Sequence, residues 1–407
     1  STSANQIAVA PGRLVDSWNS NNRKYFHYKM QAPMINFYDV VSADYKVLKS
    51  QWVSNSQRPV ALEVYYHEGH DTNIERMMKG MKASFSYYTD AFGEYYYDHA
   101  RIMEIPRYKQ FAQSYPGTIP FSESLGFVMD IKDSVDIDIA FFITAHEIAH
   151  QWWGLKLLTA NVEGHDFVLE SLSQYSALMV LQKEYGIKIT QQFIKDEMKR
   201  YFQKRSWAKE NEKPLSHVDD QDHVYYDKGA VNLYALQTVL GEDKMNQAIK
   251  SFYDDWSVVN VLEVEGRYAT SLDLISYLET ALPDSLNYLI DDLFKDVVFY
   301  DNKIDSVNIR EQGHSFLVDI KLSLEKSKVD SSGNIAIQKG SEYFEVAFYF
   351  EDDDGIEVLS HIERKELRLN ESQVQFTLCF KPSKVILDPN LKLLDKKLYD
   401  NNFEILE

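Results

Sequence analysis

The sequence predicts an α+β fold, on three observations. Helical and strand periods are mixed between Arg58 and Asp296. The helical period vanishes from Val297 to Glu407, leaving alternating runs. The stretch from Ser1 to Gln57 carries strand-like runs and no strong helical period.

Taken in order, the first zone offers strand-like runs at Tyr25–Lys29 and Asp44–Leu48. The middle zone alternates short strands at Val60–Tyr66, Arg101–Pro106 and Leu125–Ile131 with long helical stretches. Those stretches lie near Thr72–Phe92, Asp136–Trp153, Phe167–Tyr185, Thr190–Ala208 and Asp227–Leu240, with further helices up to Phe294. In the last zone Phe316–Leu322, Tyr343–Phe350 and Val374–Phe380 alternate in period 2. Turn clusters at Asp330–Gly333 and Asp352–Gly355 separate them, the pattern of a β-sandwich.

At 407 residues the chain is long enough for two or three domains, with 44% hydrophobic and 26% charged residues. The formal net charge of −19 argues against a nucleic-acid partner, which needs a basic stripe. No apolar run is long enough to cross a bilayer, and Ser1–Gln6 lacks the regions of a signal peptide. The chain is therefore expected to be cytoplasmic, or a targeting or membrane-spanning part lies outside it. Cys379 is the single cysteine, so a metal site here must be built from His and carboxylate. The 27 Tyr and 22 Phe, clustered as in Ser86–Tyr97, read as packing and amphipathic surface.

The chemistry concentrates at Ala145–Gly154, AHEIAHQWWG. Two histidines at i and i+4, His146 and His150, fall on one helix face, where both imidazoles can bind one ion. Glu147 is rotated about 100° from His146, beside the metal rather than on it, and so placed for general-base work. The plain alternative is an exposed helix with two solvated histidines. A catalytic zinc wants three protein ligands and an open position. Glu170, starting the next helix 20 residues beyond His150, can supply the third. A favourable interaction of that carboxylate with the helix dipole is compatible with this role. His165, His217 and His223 read as surface residues.

These motifs resemble the gluzincin peptidases, and more closely the M1 family of aminopeptidases. His-Glu-x-x-His is followed by Gln151-Trp152-Trp153-Gly154, and Glu170 sits where the family's third zinc ligand falls. Tyr226-Asp227-Lys228-Gly229 resembles the family's Tyr-x-Lys-Gly, which points to Tyr226 rather than Tyr225. Thr118–Val128 occupies the place of its Gly-x-Met-Glu-Asn substrate strand, with Glu123 matching the glutamate. The resemblance implies a thermolysin-like catalytic domain over residues 58–296, a β-sandwich over 297–407 and, over 1–57, the tail of an N-terminal β-domain. It also implies one Zn2+ per chain on His146, His150 and Glu170, with Glu147 as base and Tyr226 stabilising the oxyanion. Glu123 would pair with the free N-terminus of a peptide substrate.

The phrases PGTIPFSES, HQWWG and ESLSQYSALMV resemble a subgroup in which the peptidase module is joined to a membrane-transporter permease. That implies a membrane-tethered extracytoplasmic domain as the alternative to the cytoplasm. It leaves a second reading, a non-enzymatic peptide-binding or sensing module attached to a transporter. Three departures from the family stand out. His150 and Glu170 are separated by 19 residues, where most members have 18. Pro120 removes a backbone donor from the substrate strand. Most of the N-terminal domain and the C-terminal helical domain are missing from the resemblance, so a second amine-binding residue cannot be assigned.

Overall fold

A computed structural model describes residues 1–132, 136–258, 268–352 and 354–405. The chain forms two compact units, each assembled from two stretches. The first joins 1–190 with 243–281, and the second joins 191–242 with 282–407. Helix and strand are both present and partly segregated, as in an α+β chain: strands dominate up to Tyr66 and from Val297 on, and the helices lie between.

The first unit opens with five strands, β1 (Thr2–Ser3), β2 (Ile7–Val9), β3 (Arg13–Ser20), β4 (Arg23–Lys29) and β5 (Val41–Ala43). They form a three-stranded sheet β1-β4-β3 and a β2-β5 pair. Next come β6 (Lys46–Val53), β7 (Pro59–Tyr66), helix α1 (Ile74–Phe92), β8 (His99–Ile105) and β9 (Thr118–Ser122). The hairpin β6–β7 is antiparallel. The pairs β7–β8 and β8–β9 are parallel, so α1 serves as the crossover that a parallel pair demands. Every residue of β8 and β9 is buried, the signature of strands covered on both faces.

Helix α1 turns Met77, Met81, Phe85, Tyr88 and Phe92 inward at spacings of three and four. It packs against α2 (Ile139–Ala149), and the Tyr88 hydroxyl donates to the Ala145 carbonyl at 2.9 Å. Asp138 caps α2 by accepting from the Phe141 N–H at 3.0 Å. Helix α3 (Leu172–Tyr185) packs on α2 in turn.

One expectation fails here. Leu125–Ile131 is not a strand; the fourth strand of the sheet is Thr118–Ser122. The Leu125 N–H turns back to Ser122 O at 3.0 Å and the Val128 N–H to Glu123 O at 3.1 Å. Asn73 then pins the loop to the start of α1 by donating to the carbonyls of Gly126 and Met129. The apolar residues that suggested a strand, Phe127 among them, are buried by side-chain packing instead. Pro120 is accommodated because β9 ends the sheet order and its amide positions at 118, 120 and 122 face away from β8. That outer edge is covered. Residues 111–115 run along it, with Gln113 N–H on Pro120 O at 3.1 Å and Ser122 N–H on Phe111 O at 3.0 Å.

Helix α4 (Ile187–Trp207) carries the chain into the second unit, followed by α5 (Gly229–Leu240). Within the first unit lie most of α6 (Glu242–Trp256) and all of α7 (Ser271–Ala281). Part of the helical zone expected up to Phe294, residues 259–267, lies outside the described residues. The second unit then holds eight antiparallel strands. They are β10 (Val297–Gln312), β11 (Ser315–Val329), β12 (Ile335–Ile337), β13 (Ser341–Glu351), β14 (Glu357–Arg368), β15 (Asn370–Leu378), β16 (Lys384–Leu387) and β17 (Asn402–Glu404). One sheet joins β10, β11, β12 and β15, and the other runs β14-β13-β16-β17. Both contribute to one core, Val318, Ile320 and Leu322 from β11 meeting Phe344, Val346 and Phe348 from β13. Among the described residues no helix is long and apolar enough to cross a membrane.

Candidate metal centre and active site

Helix α2 delivers His146 and His150 one turn apart, with their Nε2 atoms 3.1 Å from each other. Glu170 Oε2 lies 3.2 Å from the first and 3.4 Å from the second. Four ligands held tetrahedrally at about 2.0–2.1 Å from zinc stand about 3.3–3.4 Å apart, so this donor set has the spacing of a zinc site. Oε2 of Glu170 is buried and makes no well-formed hydrogen bond, as expected where lone pairs converge on a shared point. The Nδ1 of His150 lies 3.0 Å from the Trp153 carbonyl. A carbonyl only accepts, so Nδ1 carries a proton and Nε2 is the atom left to face a metal.

Glu170 sits on a π-helical turn, Phe167–Ser171, which runs directly into α3. Bonds from i to i+5 accommodate one residue more than an α-turn. A turn of this kind can take up the extra residue between His150 and Glu170. Ser173 ties the two ligand segments together, its hydroxyl donating to Leu169 O at 2.8 Å and standing 3.2 Å from His150 Nδ1.

Burial outweighs the neighbouring histidines at Glu147 and raises its pKa, which makes the carboxylate a better proton acceptor. Burial alone would pull His150 down, but the Glu170 carboxylate beside it, with Glu147, raises it to about 9. Glu170 is held well below the usual range, its burial outweighed by His150 and His146.

Gln151, directly after the motif, has a structural role that its sequence position did not reveal. Its side chain accepts from Gly117 N–H at 3.0 Å and donates to Ser114 Oγ at 2.7 Å and Tyr115 O at 3.0 Å. It therefore fixes the end of α2 to the loop that enters β9. Gly117 has φ +70°, and a Cβ there would stand 2.4 Å from His99 Nε2, so the loop needs glycine.

Glu123 follows β9 and meets two basic groups. Arg107 Nε is 3.1 Å from its Oε1, and His70 Nδ1 is 3.8 Å from its Oε2. On the far side His70 Nδ1 bonds to Glu104, whose carboxylate is wholly buried and also accepts from the His67 N–H at 2.6 Å. His70, Glu104 and Glu123 thus present three donor atoms within 4.8 Å of one another, apart from the His146 group. Nothing in the local sequence pointed to His70, Glu104 or Arg107, because the end of β8, which holds Glu104 and leads into Arg107, meets His70 and Glu123 only in the fold.

Tyr226 lies in the second unit, on another π-helical turn, His223–Lys228. Tyr225 and Tyr226 are both half-buried and their rings pack 4.8 Å apart. The next two residues are anchored in the interior. Asp227 pairs with Arg200 Nε at 3.2 Å and Lys204 Nζ at 3.1 Å. Lys228 pairs with Glu212 at 2.8 Å, and Glu212 is also held by Tyr201 and by Arg205 Nε at 2.6 Å. Of the other histidines, His165 bonds to Val162 O and Asp166, His217 to Ser216, and His223 is buried and its pKa lowered by that burial.

A helix presenting His-Glu-x-x-His to a glutamate from the next helical segment is the arrangement of a metallopeptidase. The chain belongs to peptidase family M1, whose domain matches residues 76–290, just over half of its length. It is 23% identical over 299 residues to aminopeptidase N of Haemophilus influenzae, covering 70% of this chain and 32% of that protein. Aminopeptidase N of Escherichia coli is 22% identical over 294 residues, covering 68% and 31%. The chain thus spans about a third of the length of these relatives. Among solved structures, Legionella pneumophila aminopeptidase A in complex with aspartic acid is similar over 96% of this chain and 42% of that one, with TM-score 0.61 and 14% identity. An M1 zinc metallopeptidase from Deinococcus radiodurans is similar over 72% and 61%, with TM-score 0.54 and 17% identity.

Proposed function

We propose that this chain is a zinc-dependent aminopeptidase module that removes N-terminal residues from peptides. The observation that carries the reading is the convergence of His146, His150 and Glu170 at zinc-ligand spacing, with Glu147 buried beside them. Zinc held there, one per chain, supplies a Lewis acid and makes water acidic enough to serve as a nucleophile near pH 7. Glu147 accepts a proton during attack on the scissile carbonyl and returns it to the leaving amine. Tyr226, singled out by the Tyr-x-Lys-Gly spacing, donates its hydroxyl to the developing oxyanion. Glu123 binds the substrate's terminal ammonium, which makes the reaction an exopeptidase one. Because the outer edge of β9 is covered by residues 111–115, the grip on substrate rests on that carboxylate more than on main-chain pairing.

In this reading residues 58–296 are the thermolysin-like domain, 297–407 a β-sandwich and 1–57 the tail of an N-terminal β-domain. Its resemblance to the permease-joined subgroup supports a membrane-tethered extracytoplasmic domain, with a cytoplasmic chain as the alternative.

The test joins metal analysis to hydrolysis of amino-acid aminocoumarins, with and without chelator. One equivalent of zinc and chelator-sensitive release of the fluorophore are expected. Zinc binding without hydrolysis by the purified chain would favour the peptide-binding module, and absence of zinc after reconstitution would remove both readings.

A further inference from the structure

The carboxylate read as the amine contact already carries a cation, and the character of that pair differs from others in the same sheet. Arg101 Nε meets Glu63 at 2.6 Å with both side chains largely buried, and Arg101 Nη1 is also held by Gly12 O at 2.7 Å. That pair is structural. Arg107 instead meets Glu123 through Nε at 3.1 Å, with the arginine side chain 70% exposed and the glutamate 16%. An exposed contact of this kind is worth little, and a long side chain gains rotamer freedom on leaving it.

We propose that Arg107 is a surrogate for the substrate's terminal ammonium, held on Glu123 until an arriving peptide N-terminus displaces it. This rests on the reading of Glu123 as the amine contact. Removal of the guanidinium does not strand the carboxylate. The main-chain N–H of Arg107 remains on Oε1 at 3.3 Å, and His70 remains near Oε2. His70 is itself fixed by Glu104, which the His67 N–H holds in place, so the wall behind Glu123 stays put. Once Arg107 leaves, two carboxylates face a single imidazole, and the entering positive charge restores the balance. The Glu104 and Glu123 carboxylates bring an oxygen each within 4.8 Å of the other and so favour an entering ammonium, while His70 Nδ1 between them donates to Glu104. A divalent ion is the other cation such a group could take, but the bond between His70 Nδ1 and Glu104 uses one of its donors.

The experiment is calorimetric titration of Leu-Gly-Gly and its N-acetylated form into the full chain carrying Glu147→Gln, so that neither peptide is turned over. Adding Arg107→Gln is expected to lower Kd for the free peptide roughly two- to fivefold, the equivalent of one exposed ion pair, and to leave the acetylated peptide unchanged. With Glu123→Gln also present, the effect of Arg107→Gln should disappear. An unchanged or higher Kd, equal tightening of both peptides, or a second equivalent of zinc bound by the Arg107→Gln chain would overturn the proposal. If Glu123→Gln alone leaves the preference for the free peptide intact, the amine reading falls on its own, whatever Arg107 does.

Discussion

Glu212→Gln should destabilise the second unit and slow turnover while leaving metal content intact. The Glu212 side chain is 2% exposed and that of Lys228 0%, and their charged atoms are 2.8 Å apart. Glutamine preserves the shape and one acceptor for Tyr201, but leaves the Lys228 ammonium in the interior without its countercharge. Removing one partner of a buried pair costs about 3–5 kcal/mol, mostly through the charge left behind. For a unit of this size about 2–4 °C of Tm accompanies each kcal/mol, so the fall should be roughly 6–20 °C. Scanning calorimetry on the native chain, Glu212→Gln, Lys228→Met and the double variant completes a thermodynamic cycle. The double variant should recover much of the loss, because no fully buried charge is left unpaired and Arg205, 27% exposed, keeps contact with water.

The pH dependence has a fixed sign. Burial raises Glu212, but Lys228 and the hydrogen bonds outweigh it and hold the carboxyl below its ordinary 4.5. Its contribution is therefore full above that value and is lost as pH falls through the lower folded-state value. The gap between native and variant should close only in acid. A Tm change under about 2 °C at pH 7, or simple additivity in the cycle, would refute the reasoning. Since Lys228 anchors the turn carrying Tyr226, the same variant should lower kcat more than it alters KM.

Glu147→Gln should reduce turnover by about 10² to 10⁴ with zinc content unchanged, and loss of zinc would show that Glu147 is a ligand. Tyr226→Phe should lower kcat by about 10² to 10³ with little change in KM, and Tyr225→Phe much less; the opposite ranking would identify Tyr225 as the donor. Zinc binding at pH 7.5 should release about one proton, because His150, raised to about 9, is protonated until a metal takes its place. Calorimetry in buffers of different ionisation enthalpy measures this, and the release should fade as pH rises past 9.

The helix carrying His146, Glu147 and His150 was legible because its chemistry is local, a spacing of four residues on one face. So were Glu170 and the long amphipathic α1. Leu125–Ile131 was misread because apolar content alone does not distinguish a strand from a loop packed on a helix start. The real strand, Thr118–Ser122, was legible only through its resemblance to a substrate strand, because Pro120 is tolerable only on an edge whose position depends on pairing with β8. The partners Arg107, His70, Glu104 and Glu212 were invisible for a related reason. Each meets its counterpart across 16 or more residues of chain, and only the folded sheet and helices bring them together. The division into two units was equally hidden, since each is built from stretches separated by the other.

The π-helical turn at Phe167–Ser171 makes the site tolerant of length changes in one place and intolerant in another. The stretch from Gly154 to Asp166 can gain or lose a residue as a loop does, by changing its path. Within the turn the one extra residue is already taken up, and a further residue swings every neighbouring side chain about 100° around the axis. Glu170 would then face either the two histidines or the helix behind it, with no intermediate setting. Chain length at this point therefore acts as a discrete selector of metal affinity, and an insertion tolerated a few residues upstream should abolish zinc binding when moved into Val168 or Leu169.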